Sequence, residues 1–249
     1  MFTFKLVSVL VILGITLLSG FYPFFKKFTT KKSQSFPIAE ALAAGVFLSV
    51  ALIHMLGDAS NQFYQLHYHY PFAFLLAGIM FLFLLLLEHI GREIVVHEGE
   101  SSGTFAILAT VMLSVHAFLM GAALGLSGTM SIAVLILFAI VAHKWAESFS
   151  LSIQINKSSF GFRSNVLLFS FFSLMTPIGI VLGTAATTTL NHYPLLEPIF
   201  SSLASGTFLY LGTLHGLENA TLVKKCCDLK RFYFVLLGFA IMAVVAIWT

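Results

Sequence analysis

Apolar runs of about twenty residues recur eight times along this 249-residue chain, and that recurrence constrains its fold more than any other feature. A helix crossing a bilayer needs about 20 mostly apolar residues. Eight segments qualify, at about 4–25, 38–58, 71–91, 107–127, 132–152, 165–186, 199–217 and 232–248. Hydrophobic residues make up 59% of the chain and charged residues 9%, against roughly 25% charged in an average soluble domain. The expectation is an all-α polytopic membrane protein with eight transmembrane helices in a single transmembrane domain over 1–249. The first run follows Lys5 and could pass for a signal peptide. It continues past FYPFF without a convincing small-residue cleavage site, so it reads as a retained span.

The positive charges orient the spans. Lys26, Lys27, Lys31 and Lys32 fall in the first loop, Arg92 in the third, Lys157 and Arg163 in the fifth, and Lys224, Lys225, Lys230 and Arg231 in the seventh. The even-numbered loops carry no lysine or arginine, so the odd loops are expected in the cytoplasm and both termini outside it, in a multi-pass protein of the cell membrane. Sequons at Asn156 and Asn219 fall on the cytoplasmic side and read as chance matches. A net charge of +3 excludes nucleic acid as a partner, and the adjacent Cys226 and Cys227 give no disulfide framework.

An internal repeat follows. LAAGVFLSVALIHML (42–56) and LASGTFLYLGTLHGL (203–217) share Leu42 with Leu203, Ala43 with Ala204, Gly45 with Gly206, Phe47 with Phe208, Leu48 with Leu209, His54 with His215 and Leu56 with Leu217. The first copy lies in span 2, running outward, and the second in span 7, running inward. That is an inverted repeat, as in many secondary transporters whose substrate site lies near the midplane. Spans 1–3 and 6–8 form the halves around spans 4 and 5, a 3+2+3 arrangement.

The middle pair carries the chemistry. His143 lies near the midpoint of span 5, about 15 Å from either interface at 1.5 Å per residue. Glu147 follows one turn later on the same face. His116 lies at the midpoint of span 4, which a short loop ties to span 5, and Gly121 and Gly125 on span 4 form a small-residue seam for a close neighbour. A lone buried histidine is more often a hydrogen-bonded core residue than a ligand. Two histidines and a carboxylate at one depth argue otherwise, because intramembrane ionisable groups are costly and functional by default. His116, His143 and Glu147 suit Zn²⁺, and less well Fe²⁺ or Mn²⁺. Lys144 is too deep to snorkel and must be paired, neutral or exposed to water. Glu88 and His89 are expected at the interface, and His67 and His69 on the surface.

Span 2 places His54 on the external side of the midplane and Asp58 one turn further out, at the mouth. The repeat puts His215 on the cytoplasmic side of span 7. Helix-end hydrogen bonding is the plainer reading of both histidines. A zinc-dependent intramembrane hydrolase is the alternative function, weakened by the inverted repeat and by the lack of a separate general base.

HAFLMGAALG in span 4, HKWAESFSLS in span 5, AAGVFLSVALIHMLGD in span 2, SLMTPIGIVLG in span 6 and ASGTFLYLGTLH in span 7 resemble the ZIP (Zrt/Irt-like) metal transporters. The resemblance covers nearly the whole chain and keeps the order of the motifs. It implies eight helices arranged 3+2+3, a transport site between spans 4 and 5, and metal movement toward the cytosol, with a divalent metal as substrate and no cofactor. By motif, His116 takes the span 4 histidine position and His143 and Glu147 the span 5 His-x-x-x-Glu. Ala117 and Met120 depart from polar or acidic residues found in other members. Lys144 stands where a two-metal member has an acidic residue, so one metal is expected. Gly57 replaces a usual proline and His215 a common acidic position. The third loop is reduced to REIVVHEGESSGT, which argues against strong metal buffering there. The expected path thus includes His54, Asp58, Met120, Lys144 and His215. The partners are a divalent metal ion and the lipid bilayer, with a homodimer left open.

Overall fold

The computed structural model describes residues 1–25, 37–98, 101–156, 158, 160–190, 194–213 and 229–247. Lys26, Lys27, Lys31, Lys32, Lys157, His215, Asn219, Lys224, Lys225, Cys226 and Cys227 lie outside the described residues. Every regular element among the described residues is helical. In chain order they are α1 (Phe2–Phe25), α2 (Pro37–Ser49), a π-helical turn (Val50–Met55), α3 (Leu56–Gln65), α4 (Phe72–Glu98), α5 (Ser101–Leu126), α6 (Met130–Asn156), α7 (Phe162–Leu190), α8 (Leu196–Tyr210) and α9 (Leu229–Val245). The π turn joins α2 and α3 into one rod that contains span 2.

Six rods among the described residues are long and apolar enough to cross a membrane: Phe2–Phe21, Ile38–Gln65, Phe72–Gly91, Ala106–Leu126, Met130–Asn156 and Phe162–Ala186. This is a multi-pass membrane protein. The outward helix faces carry Leu10, Leu18, Leu82, Leu167 and Val181, all more than 60% exposed, as lipid-facing surfaces require. In hydrocarbon, polar groups must be satisfied internally. The hydroxyls of Thr16, Thr110, Ser173, Thr184 and Ser202 accordingly donate to the carbonyl four residues earlier on their own helices.

Two elements run longer than the apolar pattern predicts. α3 continues to Gln65 as an amphipathic helix that buries Leu56, Ala59 and Phe63 at three- to four-residue spacing. α4 continues through Arg92–Glu98, a stretch without proline or glycine. Most of the segment expected as the third loop is therefore helix.

Helix pairing follows the small residues. α5 lies along α7, where a Cβ on Gly121 would strike the Thr176 carbonyl and one on Gly179 the Phe118 carbonyl. The other principal pairs are α2 with α9, α1 with α6 and α4 with α8. Exchanging spans 1 and 6, 2 and 7, 3 and 8, and 4 and 5 converts this set of pairs into itself. The repeat has matching local structure as well. Gly45 lets α2 approach the Val235 carbonyl of α9, and Gly206 lets α8 approach the Ala77 carbonyl of α4. π-helical turns begin at Val50 and at Leu211, equivalent positions in the two copies. Phe47 and Phe208, another matched pair, stack with ring centroids 5.1 Å apart and planes inclined by 18°.

Candidate metal centre

Three residues, Ser127, Gly128 and Thr129, separate α5 from α6. Ser127 Oγ donates to the Leu124 carbonyl at the end of α5, and Thr129 Oγ1 accepts from the Ile132 N–H at 3.3 Å in the first turn of α6. A connection this short forces the two helices to be antiparallel neighbours. Because both helices rise 1.5 Å per residue, His116 and His143 meet at one level. Their ring centroids are 5.9 Å apart.

His116, His143 and Glu147 each offer one ligand atom, and these atoms lie within 4.8 Å of one another in a fully buried cluster. Glu147 Oε1 is 3.4 Å from His116 Nε2 and 3.1 Å from His143 Nε2. With Zn–N and Zn–O distances of about 2.0–2.1 Å, two ligands on one tetrahedral zinc are separated by about 3.3 Å. The donors thus stand at nearly the spacing a small dication would impose.

Hydrogen bonding at the cluster is incomplete. His116 Nε2 and both ring nitrogens of His143 lack an aligned hydrogen-bond partner, as do the hydroxyls of Ser49, Ser114 and Ser148. Buried polar atoms are normally paired, so two imidazole Nε2 atoms that face one carboxylate oxygen without an aligned bond form a group that could hold a cation. His116 Nδ1, by contrast, sits 2.6 Å from Thr207 Oγ1 and 3.1 Å from the Ala204 carbonyl on α8. The Phe208 ring covers both imidazoles, its centroid 3.7 Å from that of His116 and 4.9 Å from that of His143.

Lys144 occupies the opposite side of the carboxylate. Its ammonium donates to Glu147 Oε2 at 2.8 Å and to Thr176 Oγ1 at 3.1 Å, and lies 4.4 Å from the Phe172 ring centroid. Of the three states open to so deep a lysine, the paired one is found. One oxygen of Glu147 is therefore committed to Lys144, while the other faces the histidines.

The remaining residues singled out in the sequence fall around a cavity. His54, Asp58 and Met120 line a space of about 340 Å³ together with Gln62, Glu197 and Ser201. His54 Nδ1 is 2.8 Å from Asp58 Oδ2, and Met120 lies one turn from His116 along α5. His215 is outside the described residues, and His67 and His69 are exposed. Glu88 is buried on the inner face of α4, where it accepts a hydrogen bond from the Tyr210 hydroxyl.

Sequence reading missed the residues that other helices bring in: Thr207 and Phe208 from α8, Thr176 and Phe172 from α7, and Glu197. It also missed Lys5, whose ammonium donates to the Gly125 carbonyl at 2.5 Å, near the end of α5. Thr176 had a signal in the following Pro177, which marks a perturbed helix. Glu197 had one as an acidic residue in the first turn of α8.

A multi-pass helical protein with a buried His–His–Glu cluster falls in the class of membrane proteins that handle divalent metal ions. The chain belongs to the ZIP zinc transporter family, whose profile matches residues 2–104 and 96–246. It is 25% identical to mouse zinc transporter ZIP2 over 98% of this chain and 97% of that protein. Human zinc transporter ZIP2 is 24% identical over the same shares of the two chains. Zinc transporter 11 of Arabidopsis thaliana is 28% identical over 98% of this chain and 85% of its own length. Proteins of this family are transporters rather than enzymes, which removes the hydrolase reading.

Proposed function

We propose that this protein is a secondary transporter that carries a divalent metal ion into the cytosol through one midplane site between α5 and α6. The substrate is zinc first, with iron or manganese as weaker alternatives. His116, His143 and Glu147 are the ligands. The observation that carries the reading is the cluster of three buried donors whose imidazole nitrogens facing Glu147 Oε1 are without aligned hydrogen-bond partners. Two imidazoles and a single carboxylate oxygen form a borderline-soft set that suits zinc. Three protein ligands leave a fourth position for water, which suits an ion that must depart again.

The fold reading that accompanies this is eight spans in one transporter domain, arranged 3+2+3. It is supported by helix pairs that interchange under the repeat and by the matched roles of Gly45 and Gly206. The positive-inside rule puts both termini outside the cytoplasm, in the cell membrane. The cavity lined by His54, Asp58 and Met120 then opens on the external side and feeds the site. Lys144 limits the site to one metal, and His215 receives the ion on the cytoplasmic side.

Zinc uptake into proteoliposomes tests the site. His143→Ala is the informative variant, because removing Glu147 would also strand the Lys144 ammonium, at a cost of about 3–5 kcal/mol. We expect His143→Ala and His116→Ala to lose saturable uptake while the protein stays folded in the membrane. Wild-type uptake by either variant would refute the site.

A further inference from the structure

The two copies of the internal repeat part company where the second one meets His116. Residue for residue, Thr207 on α8 corresponds to Val46 on α2. Both are buried, but only the second copy carries a hydroxyl, and that hydroxyl lies against the imidazole. We infer that Thr207 is a positioning residue: it holds His116 in the tautomer with the proton on Nδ1 and so turns the Nε2 lone pair toward the metal. This rests on the reading above that His116 is a ligand.

Counting protons gives the tautomer. Thr207 Oγ1 donates its one hydrogen to the Ala204 carbonyl, 2.5 Å away. That bond is local to α8, since threonine in a helix can reach the carbonyl three residues earlier. With its hydrogen committed, Oγ1 presents only lone pairs to His116 Nδ1 at 2.6 Å. The Ala204 carbonyl, 3.1 Å from the same nitrogen, is also an acceptor. Nδ1 facing two acceptors must be the donor. In a neutral imidazole Nε2 is then unprotonated. It faces Glu147 Oε1 at 3.4 Å with no aligned hydrogen bond, an arrangement of two lone-pair donors that a cation would complete. Metal-binding histidines commonly donate their other ring N–H to such a partner, which fixes the tautomer and raises ligand basicity.

Equilibrium zinc binding by the purified full-length protein, with zinc uptake into proteoliposomes as a second readout, tests this with three substitutions. Thr207→Val keeps the branched shape and loses the hydroxyl. Thr207→Ser keeps the hydroxyl and loses the methyl group, and Thr207→Ala loses both. Positioning predicts that Thr207→Val and Thr207→Ala weaken zinc binding about 10- to 100-fold, whereas Thr207→Ser recovers most of the affinity. Space filling predicts the reverse order, with valine tolerated and serine damaging. Wild-type affinity in Thr207→Val overturns the proposal. Should Thr207→Val fail to fold, the serine and alanine variants still differ only in the hydroxyl, and equal affinity in that pair overturns it too. His143→Ala separates the two levels of the argument. If it keeps wild-type affinity, the metal site itself is wrong. If it loses affinity while Thr207→Val and Thr207→Ala do not, only the role of Thr207 falls.

Discussion

At the scale of single residues, the pairing of Lys144 with Glu147 bears on how tightly the proposed site would hold its cargo. Without metal, the ammonium and the Glu147 carboxylate neutralise one another across 2.8 Å. A dication arriving at the histidines leaves two net positive charges in a buried space. At about 6 Å and an effective dielectric of about 20, a unit charge opposes a dication by about 5 kcal/mol. In the proposed site Lys144 would thus keep the ion from settling too deeply and favour its release. Lys144→Met should therefore lower the KM for zinc at least tenfold and lower the maximal rate with it. Lys144→Asp should raise the metal bound per protein from one to two, measured by elemental analysis after dialysis. If the wild type already binds two ions in this site, the role given to Lys144 is wrong. The ionisable residues of the cluster were legible in the sequence because burying such groups in hydrocarbon is expensive and position along a span fixes depth. Thr207 and Phe208 were not, since nothing in an apolar helix about 90 residues away says which imidazole it will lie against. Glu88 shows the same limit. The sequence fixes its depth near the end of span 3 but not its face, and Tyr210 draws it inward.

Among the elements, glycine decides which helices touch. A small-residue seam on α5 announces a close neighbour without saying which. The three-residue link to α6 makes that helix adjacent, yet the seam itself is taken by α7 through Gly179 and Gly183. The halves of the repeat use glycine alike: Gly45 and Gly206 each bring their helix against a partner's backbone carbonyl, so neither contact can yield by rotating a side chain. Gly45→Ala and Gly206→Ala should each destabilise the protein by about 1–3 kcal/mol, as overpacking does. Gly14 on α1 has nothing near a Cβ, and Gly14→Ala should be neutral or stabilising by up to about 1 kcal/mol through helix propensity. Thermal unfolding in detergent, followed by far-UV circular dichroism, compares the three. Gly45→Ala matching Gly14→Ala would mean that the α2–α9 contact is looser than described.

Across the whole molecule, the proposed path makes the charge of the cavity a means of bringing ions to the site rather than of holding them on the way. The cavity above Met120 carries two carboxylates from different helices, Asp58 on α3 and Glu197 on α8, with His54 beside the first and Gln62 donating to the second at 3.1 Å. Asp58 is about half exposed and acts through its field, which salt screens over about 10 Å at 0.1 M. Asp58→Asn should raise the KM more at low ionic strength than at high, with the maximal rate little changed. Glu197 behaves differently. Burial pushes its carboxyl above the ordinary carboxylate value, the hydrogen bond from Gln62 pulls it back, and the charge of Asp58 pushes it up again. A raised value means that the anion is lost at a higher pH than for a free carboxyl. As the medium facing the cavity is acidified, Glu197 therefore takes up its proton early and the cavity becomes less attractive to cations. The KM for zinc should rise as the pH falls, and begin to do so above the range in which an ordinary carboxyl titrates. Glu197→Gln should start from a higher KM near neutral pH and rise less as the pH falls. Initial rates of zinc uptake, measured across external pH and ionic strength, give both dependences from one set of vesicles. If Glu197→Gln follows the wild-type pH curve, the carboxylate takes no part in recruiting the ion. The field of the cavity would then reduce to Asp58 alone.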